Sequence, residues 1–224
     1  MSNTSGSPVM RAAPDTDSSP AIASSRLLMV RHGESTWNRE RRIQGQLDPP
    51  LTDRGRMQAR EIADRLSGHD VVAMYCSDLR RAQQTARPIA ESVGVEPVTM
   101  VDLREIGLGE WEGRTGDELA AGYPALWDEW TRRPSWDLVP GGEGQSAFER
   151  RVQRALDALF DAHPEGDVLC VTHGGVVQVA LSLIVGRSVD GVFPFLIENC
   201  SLSVLQRTLR GPVITAVNDT CHLA

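Results

Sequence analysis

The sequence predicts an α/β fold, a three-layer α/β/α sandwich with a mostly parallel central sheet and a small helical cap insertion. Short, continuous apolar runs typical of buried strands alternate with longer segments of helical periodicity. This alternation favours a parallel sheet covered by helices on both faces. The interval from about 106 to 145 interrupts the alternation with tryptophans, glycines and prolines, which indicates an insertion or cap over one edge of the sheet.

The length of the chain favours one elaborated domain. With 224 residues, it is long for one domain and short for two. We therefore expect a single domain over residues 26–224. Residues 1–25 are rich in Ser, Pro, Ala and Thr and lack the apolar core of a signal peptide, so we interpret them as a disordered N-terminal extension.

Four apolar runs have the length and composition of buried strands. They are residues 26–30, 71–76, 96–101 and 167–172. A first helix is predicted over 52–67, capped by Thr52, with Met57, Ile62 and Leu66 facing the core.

Two further helices are predicted in the second half of the chain. One covers 146–162 and begins with a capping box formed by Ser146 and Glu149, with Val152, Leu156, Leu159 and Phe160 facing inward. The other follows the strand at 167–172 and contains the sequence VVQVALSLIV.

Composition excludes several classes of function. The net charge of −7 argues against general binding to nucleic acid or to an acidic membrane, and no apolar run approaches the roughly 18 residues of a membrane span. All 23 basic residues are arginine, which excludes a Schiff-base lysine, pyridoxal phosphate attachment and a Walker A lysine. The four cysteines lack CxxC spacing, which favours a reduced, cytoplasmic protein.

Polar residues with potential chemistry follow each predicted strand. Ligands of open α/β sheets bind beyond the carboxyl ends of the strands. The residues expected there are Arg31, His32, Arg80, Arg81, Glu105, His173 and Gly174. Each one alone is compatible with a structural role, but together they suit a phosphoryl group. Arginine forks match phosphate oxygens, an imidazole can attack phosphorus, and a carboxylic acid can protonate the departing alcohol.

The same residues carry a family resemblance. LLMVRHGESTWN resembles the RHG signature of the histidine phosphatase superfamily, also called phosphoglycerate mutase-like. The resemblance continues, in the expected order, through RRIQGQLDPPLTDRGRMQA, YCSDLRRAQQTA, LREIGLGEWEG, GGEGQSAFERR and VLCVTHGGVV, and spans roughly residues 26–205.

The resemblance implies a role for each matching residue. His32 is expected to be the nucleophile that becomes phosphohistidine, and Glu105 the proton donor. Arg31, Arg81, His173, Asn38 and the backbone at Gly174 are expected to bind phosphate, with Gln44 on the substrate side. Arg80 is the weaker arginine of its pair, because the family's arginine directly precedes the alanine of RAQQTA. No metal or cofactor is implied.

The predicted function is hydrolysis of small phosphate monoesters, and several alternatives stay open. A phosphoglycerate mutase-type phosphotransferase shares the pocket, but GEWEGRTGDELAAGYP resembles the compact phosphatase branch. A non-catalytic sensor of phosphorylated ligands is a second alternative. A cysteine phosphatase built on Cys76 fails, because Arg80 and Arg81 come too early for C-x5-R spacing. A small-molecule monoester is the expected partner, without nucleic acid or membrane, and a homodimer is left open.

Two features leave the substrate contacts open. The family often has Gly-Gly-Glu-Ser before its long helix, whereas this chain has Gly141-Gly142-Glu143-Gly144. The contact of that serine is lost, and Glu143 can either face the pocket or be structural. The tryptophans between 106 and 145 either line the leaving-group side or pack the cap, and cap packing is favoured.

Overall fold

A computed structural model describes residues 25–188 and 191–223, so the predicted extension lies almost wholly outside the described residues. The centre of the fold is a six-stranded sheet of order β3-β2-β4-β1-β5-β6. Its strands are β1 (Ser25–Arg31), β2 (Val71–Cys76), β3 (Pro97–Thr99), β4 (Gly166–Thr172), β5 (Leu202–Thr208) and β6 (Gly211–Asp219). The first four are parallel to one another, whereas β5 pairs antiparallel with β1, and β6 antiparallel with β5.

Seven α-helices surround the sheet in the described part of the chain. They are α1 (Thr36–Arg39), α2 (Asp53–Leu66), α3 (Arg80–Val93), α4 (Gly116–Gly122), α5 (Pro124–Arg132), α6 (Gln145–Ala162) and α7 (Gly174–Ile184). None of the described helices is long and apolar enough to cross a bilayer.

The alternation of side chains along β1 builds the two sides of the core. Leu28 and Val30 lie in one apolar cluster with residues of α2 and α3. Leu27 and Met29 point to the opposite face and lie in a second cluster with residues of α6, α7 and the cap. The α/β/α sandwich with a mostly parallel sheet is therefore confirmed.

The edges of the sheet differ from the sequence-based expectation. The run 96–101, predicted as a buried strand, forms only the three-residue β3 at the edge, with Val98 57% exposed. The strands β5 and β6 were not predicted. They form an antiparallel hairpin. The residues of β6 are exposed or half-buried, so β6 lacks the continuous apolar run by which the central strands were predicted.

The helix predicted over 52–67 is confirmed with one error. The Thr52 hydroxyl accepts from the Gly55 amide at 3.0 Å and caps α2. Ile62 and Leu66 are buried, but Met57 is 55% exposed. Met57 lies beside the buried face of α2 rather than on it, and Ala59 is buried on that face instead.

The capping box predicted at Ser146 and Glu149 is wrong. Helix α6 begins at Gln145, and its N-cap is Gly144 with φ of 75°. The acceptor for the Gln145 amide is the carboxylate of Asp137, at 2.9 Å. Glu149 instead accepts from the side chains of Gln145 and Ser188. A glycine suits this position because φ is positive and because a Cβ would lie too close to the Asp137 oxygen.

The predicted cap contains α4 and α5, and its indole rings contact one another edge-to-face or at a tilt. Trp130 contacts Trp111 at 5.0 Å and Trp136 at 4.9 Å between ring centroids. Trp111 and Trp136 are buried in the same apolar cluster as α6 and α7. The expectation that the tryptophans pack the cap is therefore confirmed for these two residues.

Replacing Gly144 by alanine should destabilise the protein. The added Cβ would lie 2.8 Å from the Asp137 oxygen, and φ at this position is positive, which disfavours alanine. We expect a loss of about 1–2 kcal/mol in the free energy of unfolding, measured by urea denaturation. Gly122→Ala is the control, because a Cβ there meets no atom within 4 Å. Equal effects of the two substitutions would contradict the strain argument.

Candidate active site

The candidate site lies where the parallel strands β1 and β4 end side by side. Arg31 pairs in register with Thr172, and the His32 amide donates to the Thr172 carbonyl at 2.9 Å. His32 and His173 therefore leave the sheet as neighbours, with ring centroids 5.1 Å apart. Two central strands, buried on both faces, hold the two imidazoles in place.

The His32 ring is oriented by its own neighbour. Its Nδ1 lies 2.8 Å from the Gly33 carbonyl oxygen. Since a carbonyl only accepts, Nδ1 carries the proton and Nε2 keeps its lone pair. Burial lowers the pKa of His32 well below its usual value, and the charges of Arg81 and Arg31 lower it further. The ring is therefore neutral at physiological pH with an available Nε2.

His173 is completely buried and is bonded on one side only. Its Nε2 lies 2.8 Å from the hydroxyl of Ser77, while Nδ1 has no partner among the described residues. Burial lowers the pKa of His173 well below its usual value, followed by the effects of Arg81, His32 and Arg31. An unpaired ring nitrogen in this position can serve a bound ligand.

Of the two arginines after β2, only Arg81 enters the site. It is fully buried in the first turn of α3 and donates to the carbonyls of Leu47 at 2.7 Å and Gly45 at 2.8 Å. Burial lowers its pKa to about 10, so it stays charged at neutral pH. Arg80 is exposed, in agreement with the expectation that it is the weaker candidate of the two arginines.

Arg31 supplies a second, half-buried cation. One of its terminal nitrogens donates to the Ile197 carbonyl at 2.5 Å. Burial lowers the pKa of Arg31 as well, with Glu105 opposing the effect. The Nε atoms of both Arg31 and Arg81 are buried without a partner in the described structure. Because an unpaired buried donor costs about 1–3 kcal/mol, these atoms are strong binding groups for an anion.

Glu105 faces these cations from the segment after β3. Its carboxylate accepts from the Ile106 amide at 2.9 Å and from the Gly175 amide at 3.1 Å. The second contact places it at the start of α7, where a Cβ on Gly175 would lie 2.2 Å from the carboxylate. A glycine is required for this approach. A Cβ on the neighbouring Gly174 would lie 3.4 Å from Arg31 Nε, which is an ordinary contact.

Asn38 and Gln44 meet through Ser35. The Asn38 side-chain oxygen accepts from the Ser35 amide at 3.0 Å and from Asn199 at 3.3 Å. The Ser35 hydroxyl lies 2.7 Å from the Gln44 side-chain oxygen. Both amide oxygens are thus used within the protein. The amide NH₂ groups are the parts of Asn38 and Gln44 that remain available to an anionic ligand.

Three supporting residues were missed by sequence reasoning. Ser77 holds His173, Thr85 accepts from the Gly33 amide at 3.0 Å, and Asn199 donates to the His32 carbonyl at 2.9 Å. The strand-end rule could have identified Ser77, which directly follows β2. Asn199 had no signal, because it precedes β5, a strand that was not predicted.

The aromatic cluster of the cap reaches the acid. Trp136 contacts Phe193 at 5.3 Å between ring centroids. Phe193 in turn lies beside Gly175, where a Cβ would be 3.1 Å from its ring and also in contact with Glu105. The apolar side of the site is therefore formed by the segment after α7 and by the cap.

The geometry also bears on Cys76 and on Glu143. Cys76 is buried and donates to the Ser77 carbonyl, and burial raises the pKa of its thiol, so a thiolate nucleophile is disfavoured. Glu143 forms an ion pair with Arg151 and also accepts from the Gly107 amide. Both of its carboxylate oxygens are therefore used by contacts within the protein.

Comparisons with known proteins agree with this geometry. The sequence profile of the histidine phosphatase superfamily (branch 1) matches residues 27–220. The chain belongs to the histidine phosphatase superfamily. The chain is similar to phosphoserine phosphatase 1 of Hydrogenobacter thermophilus, with 33% identity over 198 residues, which cover 88% of this chain and 94% of the relative.

Two further relatives extend the comparison. A Yersinia pestis protein named "probable phosphoglycerate mutase GpmB" is 35% identical over 200 residues, which cover 87% of this chain and 93% of that protein. The solved structure of YhfR from Bacillus stearothermophilus superposes with a TM-score of 0.82 at 30% identity, covering 89% of this chain and 100% of that one. Family membership thus supports phosphatase or mutase activity, and the relatives differ in substrate.

The buried histidines should make stability depend on pH. Because the folded-state pKa values of His32 and His173 are lowered, only the unfolded chain binds their protons below about pH 6.5. The free energy of unfolding should therefore fall as pH falls below that value, by at most about 1.4 kcal/mol per pH unit for each histidine. Urea denaturation at a series of pH values from 8 to 5.5 measures this change in the free energy of unfolding.

A substitution control isolates the effect. His173→Gln should reduce the slope below pH 6.5, whereas His69→Gln changes an exposed residue distant from the site and serves as the matched control. A slope that is identical in wild type and His173→Gln would contradict the assignment.

Proposed function

We propose that the protein is a metal-independent phosphomonoesterase that hydrolyses small phosphorylated metabolites through a phosphohistidine on His32. The observation that carries this proposal is the hydrogen bond from His32 Nδ1 to the Gly33 carbonyl. It fixes the tautomer of the ring with Nε2 available, while burial and the charges of Arg81 and Arg31 lower the pKa of His32 and keep the ring neutral. A neutral nucleophile among fixed positive charges is what attack on a phosphate dianion requires.

The first proposed step transfers the phosphoryl group to the enzyme. A bond forms between His32 Nε2 and phosphorus while the ester P–O bond breaks. Glu105, in its protonated form, gives its proton to the departing oxygen, and the alcohol leaves. The phosphorylated imidazole keeps its Nδ1 proton, which the Gly33 carbonyl continues to accept.

The second proposed step returns the enzyme to its starting state. Water attacks phosphorus, the N–P bond breaks, and the proton released by water passes to the Glu105 carboxylate. Inorganic phosphate leaves, and Glu105 is again protonated for the next turnover. The net reaction consumes one water and one ester and yields one alcohol and one phosphate.

Electrostatic stabilisation follows from the unpaired donors. The transition state of phosphoryl transfer spreads negative charge over the equatorial oxygens. The Nε atoms of Arg31 and Arg81 and the Nδ1 of His173 have no partner among the described residues, and they can donate to these oxygens. We propose that Asn38 contributes its amide NH₂, and that Gly174 contributes the backbone at the start of α7. With two guanidinium groups present, a metal ion is not needed for charge neutralisation.

Hydrolysis is proposed over phosphoryl transfer to a second substrate hydroxyl. The compact segment from Gly109 to Pro124 resembles the phosphatase branch, and a phosphoserine phosphatase is among the relatives. The similarity to a protein named as a mutase keeps mutase activity as the second candidate. Gln44 lies on the substrate side of Ser35 in this proposal and contacts the ester rather than the nucleophile.

His32→Ala should abolish turnover. We expect kcat to fall by about a thousandfold or more on a panel of phosphate monoesters, while the wild-type rate persists in EDTA. Wild-type enzyme quenched during turnover of a ³²P-labelled ester should carry an acid-labile, base-stable label, absent from the variant. Retained activity in His32→Ala would overturn the nucleophile assignment.

The same panel separates the alternatives. With 3-phosphoglycerate, release of phosphate without formation of 2-phosphoglycerate supports the hydrolase, and isomerisation supports the mutase. Loss of wild-type activity in EDTA would overturn the metal-free mechanism. Binding of phosphate without turnover of any ester would favour the sensor.

Arg81 and Arg80 provide a matched pair of substitutions. Arg81→Lys keeps a positive charge but loses the fork that reaches Gly45, Leu47 and the phosphoryl site. We expect kcat/KM to fall by roughly a hundredfold, because a fixed donor to the transition state is lost. Arg80→Lys, on an exposed side chain, should leave kcat/KM unchanged. Similar losses in both variants would contradict the assignment of Arg81.

A further inference from the structure

Arg151 is a buried residue of α6 whose three guanidinium nitrogens all donate to defined acceptors. Its Nη1 donates to the backbone carbonyls of Asp102 at 2.9 Å and Arg104 at 2.8 Å. Its Nη2 donates to the carbonyl of Glu105 at 3.2 Å. One side chain therefore binds the backbone of the acid and of the residues just before it.

Glu143 completes this contact from the other side of the acid. Its two carboxylate oxygens accept from Arg151 Nε and Nη2, both at 2.7 Å. The same carboxylate accepts from the Gly107 amide at 3.1 Å, and the Glu143 amide donates to the Gly107 carbonyl at 2.8 Å. The backbone is thus held both before and after Glu105.

Stability alone is a weak reason for this arrangement. A buried ion pair is expensive to desolvate, and replacing one by apolar residues is often neutral or stabilising. The Arg151 and Glu143 side chains are only 10% and 18% exposed, so the desolvation cost applies to both. Nearly all of their additional hydrogen bonds go to the backbone from Asp102 to Gly107. This segment contains Glu105, so the bonds indicate that the position of Glu105 is held accurately.

We propose that Arg151 and Glu143 are positioning residues that hold Glu105 in reach of the leaving oxygen. This inference rests on the proposed function, because it takes Glu105 to be the acid. Neither residue touches the substrate in this arrangement. Displacement of a catalytic group by about 1 Å is enough to cost up to a hundredfold in rate. The Glu105 backbone has, besides Arg151, one side-chain donor in the described structure, Gln46 at 3.2 Å.

The leaving group of the ester gives a readout that a purely structural role would not change. An alkyl phosphate needs a proton on its departing oxygen, whereas 2,4-dinitrophenyl phosphate departs as a stable anion without one. For Arg151→Lys we expect kcat/KM to fall by about 10–100-fold on glycerol phosphate, and by less than about threefold on 2,4-dinitrophenyl phosphate. Glu105→Gln should show the same pattern more strongly.

Two further variants complete the experiment. Glu143→Gln keeps the shape of the side chain and removes the ion pair, so it tests the proposal if Arg151→Lys does not fold. Arg26→Lys is the control, because Arg26 forms a similar pair with Asp167 where β1 and β4 begin, at the opposite end of these strands. It should leave kcat/KM unchanged for both esters.

The outcomes separate the two proposals. Equal losses on both esters, or no loss on either, in Arg151→Lys and Glu143→Gln would overturn the positioning role while Glu105→Gln still discriminates between the esters. If Glu105→Gln fails to discriminate, the acid assignment in the proposed function falls, and the positioning role falls with it. Discrimination in all three variants, with none in Arg26→Lys, is the expected result.

Discussion

The site depends on one constraint, which is that an imidazole must stay neutral beside two permanent positive charges. Burial provides this, because desolvation is the largest cause of the lowered pKa of both His32 and His173. The same burial lowers the pKa of Arg81, but only to about 10. An arginine begins so far above neutral pH that it stays charged, whereas a histidine begins at 6.5 and loses its proton. The same buried environment thus leaves the arginine positively charged and the histidine neutral.

This constraint explains why the fold places the site at the ends of its central strands. Full burial of polar side chains is tolerated only where their remaining hydrogen bonds are satisfied. The sheet and its neighbours supply these partners, as Gly33 does for His32, Ser77 for His173, and Gly45 and Leu47 for Arg81. The Nε atoms of Arg31 and Arg81 and the Nδ1 of His173 have no partner among the described residues, and these are the donors proposed to bind the phosphoryl group. Binding of that anion would recover the energetic cost of burying them unpaired.

The sequence predicted the parts of the molecule that depend on local patterns. The central strands, the Thr52 cap and the order of polar residues after each strand follow from periodicity and from short motifs, and all are present in the structure. The capping box at Ser146 failed because Asp137, which lies outside the helix pattern, takes its place. Arg151 was missed for the same reason. Its backbone acceptors lie 46 to 49 positions away, and only the tertiary fold brings them together.

In the proposed function, the phosphoryl group and the leaving group of the ester lie against different parts of the fold. The groups proposed to bind the phosphoryl oxygens, such as Arg31, Arg81 and His173, belong to the strand ends and to the helix that follows β2. The surface beside Glu105 is instead formed by Phe193 and, behind it, Trp136. Phe193 lies in the segment between α7 and β5, whose Asn199 also binds the His32 carbonyl. Trp136 comes from the cap, which supplies none of the hydrogen-bond partners described above for His32. Changes in the cap can therefore alter the choice of ester without disturbing the nucleophile, which is consistent with relatives of one family that are named for different substrates.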